Sequence, residues 1–254
     1  MNRILWLIFD RVDVELALQN GSPTVFGSET LTNAIQPCFK AFTVLREQAN
    51  DHTTPIESSR LIYEVVAFSM VLNGVVQEGS SRLDPLNFME MTIWVLYQLL
   101  HTARLGQPSP SPDPADPEGL LKGVANLGML AFMTTLLPLY GREPDRSGYP
   151  LLCRRLKSSI QHLHFASGSG ENREFSLLLL WALFMGGVTV MKGKQMLELS
   201  PLVLETSKRL KLHDWSAVKD QLCRFPWISA LHNRPGLTLW EGFQQESSRT
   251  SRLA

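Results

Sequence analysis

The stretch whose reading decides the fold is Phe175–Met191, FSLLLLWALFMGGVTVM, which contains no charged residue. A run of this length lies at the lower edge of what can span the hydrocarbon core of a bilayer. Ser176, Thr189 and the pair Gly186-Gly187 interrupt it, and no second clean span accompanies it. The other long apolar stretch, Gly119–Tyr140 (GLLKGVANLGMLAFMTTLLPLY), carries Lys122 and Asn126. Both stretches predict helices buried on most sides in a large helical core, with no membrane attachment. Met1–Phe9 is apolar but lacks the basic start and small-residue cleavage site of a signal peptide, and Asp10, Arg11 and Asp13 end the run too soon for a span.

Outward from this core the pattern stays helical. Thr54-Pro55-Ile56-Glu57 reads as a capping box with proline at the first helical position, followed by Ile62, Val65, Val66, Met70 and Val76 at helical spacing. Asp84-Pro85 starts a helix with Phe88, Met91, Val95 and Leu99 on one face, Asp116-Pro117-Glu118 starts another, and Asp214-Trp215 starts a third with Val218 and Leu222 inward. No alternating run flanked by hairpin turns is present. The expected class is all-α, a multi-helix domain of about nine or ten helices spanning 1–254. Leu105–Gly119 (LGQPSPSPDPADPEG) holds five prolines and is expected to be an extended loop within that domain. Residues 242–254 are expected to be a disordered tail. At the other end Ile4, Leu5, Ile8, Phe9, Val12 and Leu16 form a helical stripe with no cap or loop ahead of it, which leads us to expect that an earlier part of the structure is missing.

Composition narrows the function. Of 254 residues, 44% are hydrophobic and 19% charged, so global disorder is excluded and much of the chain is expected to be buried. Lys plus Arg is 24 and Asp plus Glu is 24, and no dense basic run exists, so the chain is not expected to grip nucleic acid by itself. No pair of the three cysteines, Cys38, Cys153 and Cys223, has metal-ligand spacing, the odd count argues against a disulfide framework, and each is expected to be an ordinary buried thiol.

Catalytic signatures are weak. Gly187, Gly193 and Lys194 miss the phosphate-loop spacing, and no nucleophile elbow or His-Glu-x-x-His is present. His162 and His164 lie two apart on a helix and so face different ways. Asp10 and Asp13 lie three apart on a helix, a spacing at which two carboxylates could hold magnesium in an enzyme acting on apolar substrates. A lone pair is a thin signal, and an i, i+4 ion pair of Arg11 with Glu15 accounts for the local charge without a metal. His232 lacks a Ser, Cys or Asp placed by sequence to make it a base. The six tryptophans, Trp6, Trp94, Trp181, Trp215, Trp227 and Trp240, are expected to anchor the core, and several together could line a cavity for a small apolar effector.

Three segments carry a family likeness: WLIFDRVDVELAL (Trp6–Leu18), LLWALFMGGV (Leu179–Val188) and LKLHDWSAVKDQLCRFPWISALHNRPGLTLWE (Leu210–Glu241). In this order they resemble the fungal-specific transcription factor regulatory domain, which usually follows a binuclear zinc cluster of six cysteines. The resemblance implies a helix through Trp6, Arg11 and Asp13 leading into the core. It also implies a central buried helix at Trp181, Gly186 and Gly187, and closing helices at Trp215, Phe225, Trp227 and His232. It implies transcriptional control and a nuclear location; without it a cytoplasmic one would be expected. The six clustered cysteines are absent, so zinc and DNA contacts are expected only from an upstream segment. The chain itself is expected to hold no cofactor or metal, to catalyse nothing, and to work through protein partners or self-association. A helical adaptor with no link to DNA is the alternative. Within the closing segment, Pro226 is expected to stop or kink a helix, and Asn233-Arg234-Pro235-Gly236 to turn the chain before a last short helix through Trp240.

Overall fold

The computed structural model describes residues 3–26, 84–107, 116–137, 149–166 and 173–253, with side chains described from residue 7 to 246. The helix expected at Thr54–Val76, Cys38, the side chain of Trp6 and the middle of the proline-rich loop lie outside them. Among the described residues there are nine helices and no strand: α1 (Arg3–Asn20), α2 (Pro85–Ala103), α3 (Pro117–Thr134), α4 (Pro150–Ala166), α5 (Arg173–Thr189), α6 (Lys194–Leu197), α7 (Ser200–Arg209), α8 (Trp215–Leu222) and α9 (Ser229–Leu253).

Local sequence explains where several of these begin. The Asp84 carboxylate accepts the Asn87 amide at 3.0 Å, that of Asp116 accepts Gly119 at 2.9 Å, and that of Asp214 accepts Ala217 at 2.8 Å. Each aspartate satisfies an N–H that has no partner inside its helix. Pro85 and Pro117 sit at the first helical turn, where a missing N–H costs nothing.

The centre is α3 packed on α2, α4 and α5, while α5 also meets α7, α8 and α9. The charge-free stretch is therefore a core helix: Leu177 to Gly186 are all buried, with Trp181, Ala182, Leu183, Phe184 and Met185 at 0–1% exposure. No helix among the described residues is long and apolar enough to cross a membrane. Helix α1 packs on α2 and α4. Gly21, just beyond α1, has φ +69° and lies against Gly106, just beyond α2; a Cβ on Gly21 would fall 2.7 Å from the Gly106 Cα. Since Tyr97 of α2 also touches Asp13 of α1, the two helices run in the same direction with their C-terminal ends together.

The buried face of α1 is Leu7, Asp10, Asp13, Val14, Ala17 and Leu18, whereas Ile8, Phe9, Val12 and Leu16 are about half exposed. The buried face repeats at three and four residues as the apolar one does, and hydrogen bonds to its two aspartates offset their burial. Three expectations are corrected. First, Asn233-Arg234-Pro235-Gly236 does not turn the chain but lies inside α9. Leu231, whose carbonyl loses its partner at Pro235, is exposed, so water can replace the bond. Second, α9 stays helical to Leu253, across the stretch expected to be a disordered tail. Phe243, 3% exposed and edge-on to Phe184, pins its middle. Third, Cys223, the residue that caps the C-terminal end of α8, is exposed rather than buried; Cys153 is buried.

Candidate functional site

The residues singled out in the central and closing segments meet in one aromatic junction between α3, α5, α8 and α9. Trp181 lies over Gly128 of α3, where a Cβ would come within 2.5 Å of the indole. Its face stacks on Phe225, with centroids 5.4 Å apart and planes at 20°. Its Nε1–H donates to the Pro226 carbonyl at 3.1 Å, so the one polar atom of this buried ring is satisfied. Pro226 thus lies in the bend between α8 and α9, held from the core side.

Gly186 and Gly187 both permit close approach. A Cβ on Gly186 would lie 3.2 Å from Leu156 of α4, and one on Gly187 would lie 2.8 Å from Leu239 of α9 and 3.0 Å from Met196 of α6. The Gly186 carbonyl also accepts the N–H groups of Val190 and Met191, ending α5.

Trp215 and Trp227 flank Gly236, whose Cβ would fall 2.6 Å and 3.2 Å from their rings. Trp215 also meets Phe184 at 5.8 Å. Trp227 is 1% exposed and donates to the Asn233 Oδ1 at 2.8 Å. His232 is 2% exposed between Trp227 and Phe132, at centroid distances of 5.1 Å and 5.7 Å. Its Nδ1 accepts the Ile228 amide at 2.9 Å, which places the ring proton on Nε2, and Nε2 has no hydrogen-bond partner among the described residues. Burial pulls its pKa down to about 4, so the ring is neutral at pH 7. Among the described residues the partners of His232 are an amide and two aromatic rings, none of which a base could activate as a nucleophile.

The second cluster joins α1 to α2. Asp10 is 4% and Asp13 7% exposed. Asp13 accepts Val25 N–H at 2.9 Å and 3.0 Å through its two oxygens and Phe26 N–H at 2.9 Å. The Tyr97 hydroxyl lies 3.1 Å from Asp13 Oδ2 and 3.3 Å from Asp10 Oδ1. Arg11 turns away and pairs with Glu15 at 3.0 Å. Among the described residues no three His, Cys, Asp or Glu side chains converge to hold a metal. His162 and His164 both lie on α4, and His164 faces Glu205 at 3.8 Å.

The structure therefore brings Trp181, Gly187, Trp215, Trp227 and His232 into one region and leaves Arg11 and Asp13 in another. Sequence reasoning missed Gly128, Phe132, Asn233, Gly236 and Tyr97. Gly128 and Tyr97 carry no local sign of their role, because their partners lie far away along the chain. No protein-family model matches the chain, and no curated protein or solved structure is significantly similar to it.

Proposed function

We propose that this chain is a non-catalytic transcription-regulatory domain acting through a linked or partner DNA-binding module. The observation that carries the reading is the aromatic junction itself. Trp181, Trp215, Trp227 and His232, on which the likeness to fungal regulatory domains rests, pack on one another's neighbours inside the core. Residues spent on closing a helical core suit a scaffold, whereas an enzyme needs polar groups facing a substrate. On this reading zinc and DNA contacts belong to a separate segment, the location is nuclear, and an effector or protein partner supplies the signal. The test is to tether the chain to a heterologous DNA-binding module upstream of a reporter gene. Transcription altered severalfold relative to the module alone supports the reading, and transcription equal to the module alone rejects it.

A second reading, a helical adaptor with no DNA link, is favoured by the exposed stripe Ile8, Phe9, Val12 and Leu16 on α1. Exposed apolar stripes on helices often serve protein contacts. The adaptor reading predicts a stable protein complex that is lost on Phe9→Ser with Val12→Ser, together with no effect in the tethered reporter.

A further inference from the structure

The Tyr97 hydroxyl has one hydrogen and faces two buried carboxyl groups from α1. Asp13 is the better acceptor, at 3.1 Å against 3.3 Å, and its carboxylate already holds the Val25 and Phe26 amides. Amide donors favour the ionised form. Asp10 has no donor among the described residues other than this hydroxyl, yet is 4% exposed. If the hydroxyl hydrogen goes to Asp13, an ionised Asp10 faces an oxygen lone pair in a dry site beside a second negative charge. A buried charge without a partner is neutralised instead.

We propose that Asp10, Tyr97 and Asp13 form a proton-sharing latch that fastens α1 to α2, in which protonated Asp10 donates to the Tyr97 hydroxyl and that hydroxyl donates to ionised Asp13. Loss of the Asp10 proton places two negative charges on one hydroxyl and loosens α1 and the bend at Val25-Phe26. Burial pushes the Asp10 carboxyl up, the hydroxyl pulls it back, and the charge of Asp13 adds to the rise. Among the described residues no cation answers it. Arg11 on α1 pairs with Glu15. On α4, which also packs on α1, Arg155 donates to the Gln107 carbonyl at 2.8 Å. On α2 the other buried acid is Glu90, two turns ahead of Tyr97 on the same face. To Asp13 the bend contributes the main-chain N–H groups of Val25 and Phe26.

The sign follows from a folded-state value above the unfolded one. The stabilisation is fully present below the unfolded value, about 3.9, and is lost as pH rises through the folded value. The test compares wild type with Asp10→Asn, which cannot ionise but keeps an N–H to offer Tyr97. Unfolding constants are measured from pH 4 to 8.5, with hydrogen exchange of the α1 amides as the local readout. The wild type is expected to lose stability relative to Asp10→Asn as pH rises, by up to about tenfold in unfolding constant per pH unit within the window. The α1 amides are expected to open in parallel. A difference that stays constant across pH overturns the proposal. Should Asp10→Asn fail to fold, the carboxyl resonance of labelled Asp10 in the wild type decides. A titration midpoint well above the unfolded value supports the latch, and an ordinary midpoint sinks it.

Discussion

The indole N–H of Trp181 on α5 donates to the main-chain carbonyl of Pro226 at 3.1 Å, across 45 residues of sequence. This bond and the stack on Phe225 hold the bend between α8 and α9 against the centre of the core. The closing helices are thereby registered on the most deeply buried helix among the described residues.

Trp181→Phe removes that hydrogen bond and part of the ring over Gly128, and is expected to destabilise the fold by about 2–4 kcal/mol. Gly128→Ala overpacks the same contact, since its Cβ would lie 2.5 Å from the indole, at a cost of about 1–3 kcal/mol. In Gly128→Ala combined with Trp181→Phe the smaller ring accommodates the methyl, so the two losses are expected to add to less than their sum. Denaturant titration of the two single variants and the double variant measures this directly.

His232 is expected to make stability depend on acid. Its folded-state value, about 4, lies below the unfolded 6.5, so protonation favours the unfolded chain. Stability is whole above about pH 6.5 and falls as pH drops toward 4, by about 3 kcal/mol in all. His232→Phe, which fits beside Phe132 and Trp227 without a titrating nitrogen, is expected to flatten this part of the curve. An unchanged acid limb in melting experiments from pH 7 to 4 would assign it to other groups.

Pro235 lies inside α9 and withholds an N–H from the exposed Leu231. Pro235→Ala restores the bond and removes the ring from the preceding turn, and is expected to raise stability by about 1 kcal/mol or more. Gly236→Ala is expected to do the reverse despite its higher helix propensity, because its Cβ would strike Trp215 at 2.6 Å. Calorimetry on the two variants should therefore give shifts of opposite sign.

Asp13→Ala strands the Val25 and Phe26 amides and the Tyr97 hydroxyl, with an expected loss of about 2–4 kcal/mol. Since both oxygens of Asp13 already accept N–H groups, millimolar magnesium is expected to leave the melting temperature of the wild type unchanged. A rise on adding magnesium that disappears in Asp13→Ala would revive the metal-dependent enzyme reading.

The sequence by itself determined the helical class and several helix starts, because those depend on residues within one turn. Asp84, Asp116 and Asp214 cap N–H groups three positions on, a reach legible in any listing of the residues. Phe175–Met191 declared a helix by its length and lack of charge, and Ser176, Thr189 and the Gly186-Gly187 pair marked it as a core helix rather than a membrane span. Tertiary structure decided what each buried face meets. Helical spacing showed an apolar stripe on α1, but only the fold showed that the opposite face, with Asp10 and Asp13, is the buried one, where Tyr97 and two amides meet the two carboxyl groups. Pro235-Gly236 reads locally as a turn, but Gly236 is where two tryptophan rings need space, and packing on them carries the helix through the proline. Those interactions join residues tens of positions apart, and their partners are adjacent only once the helices have packed.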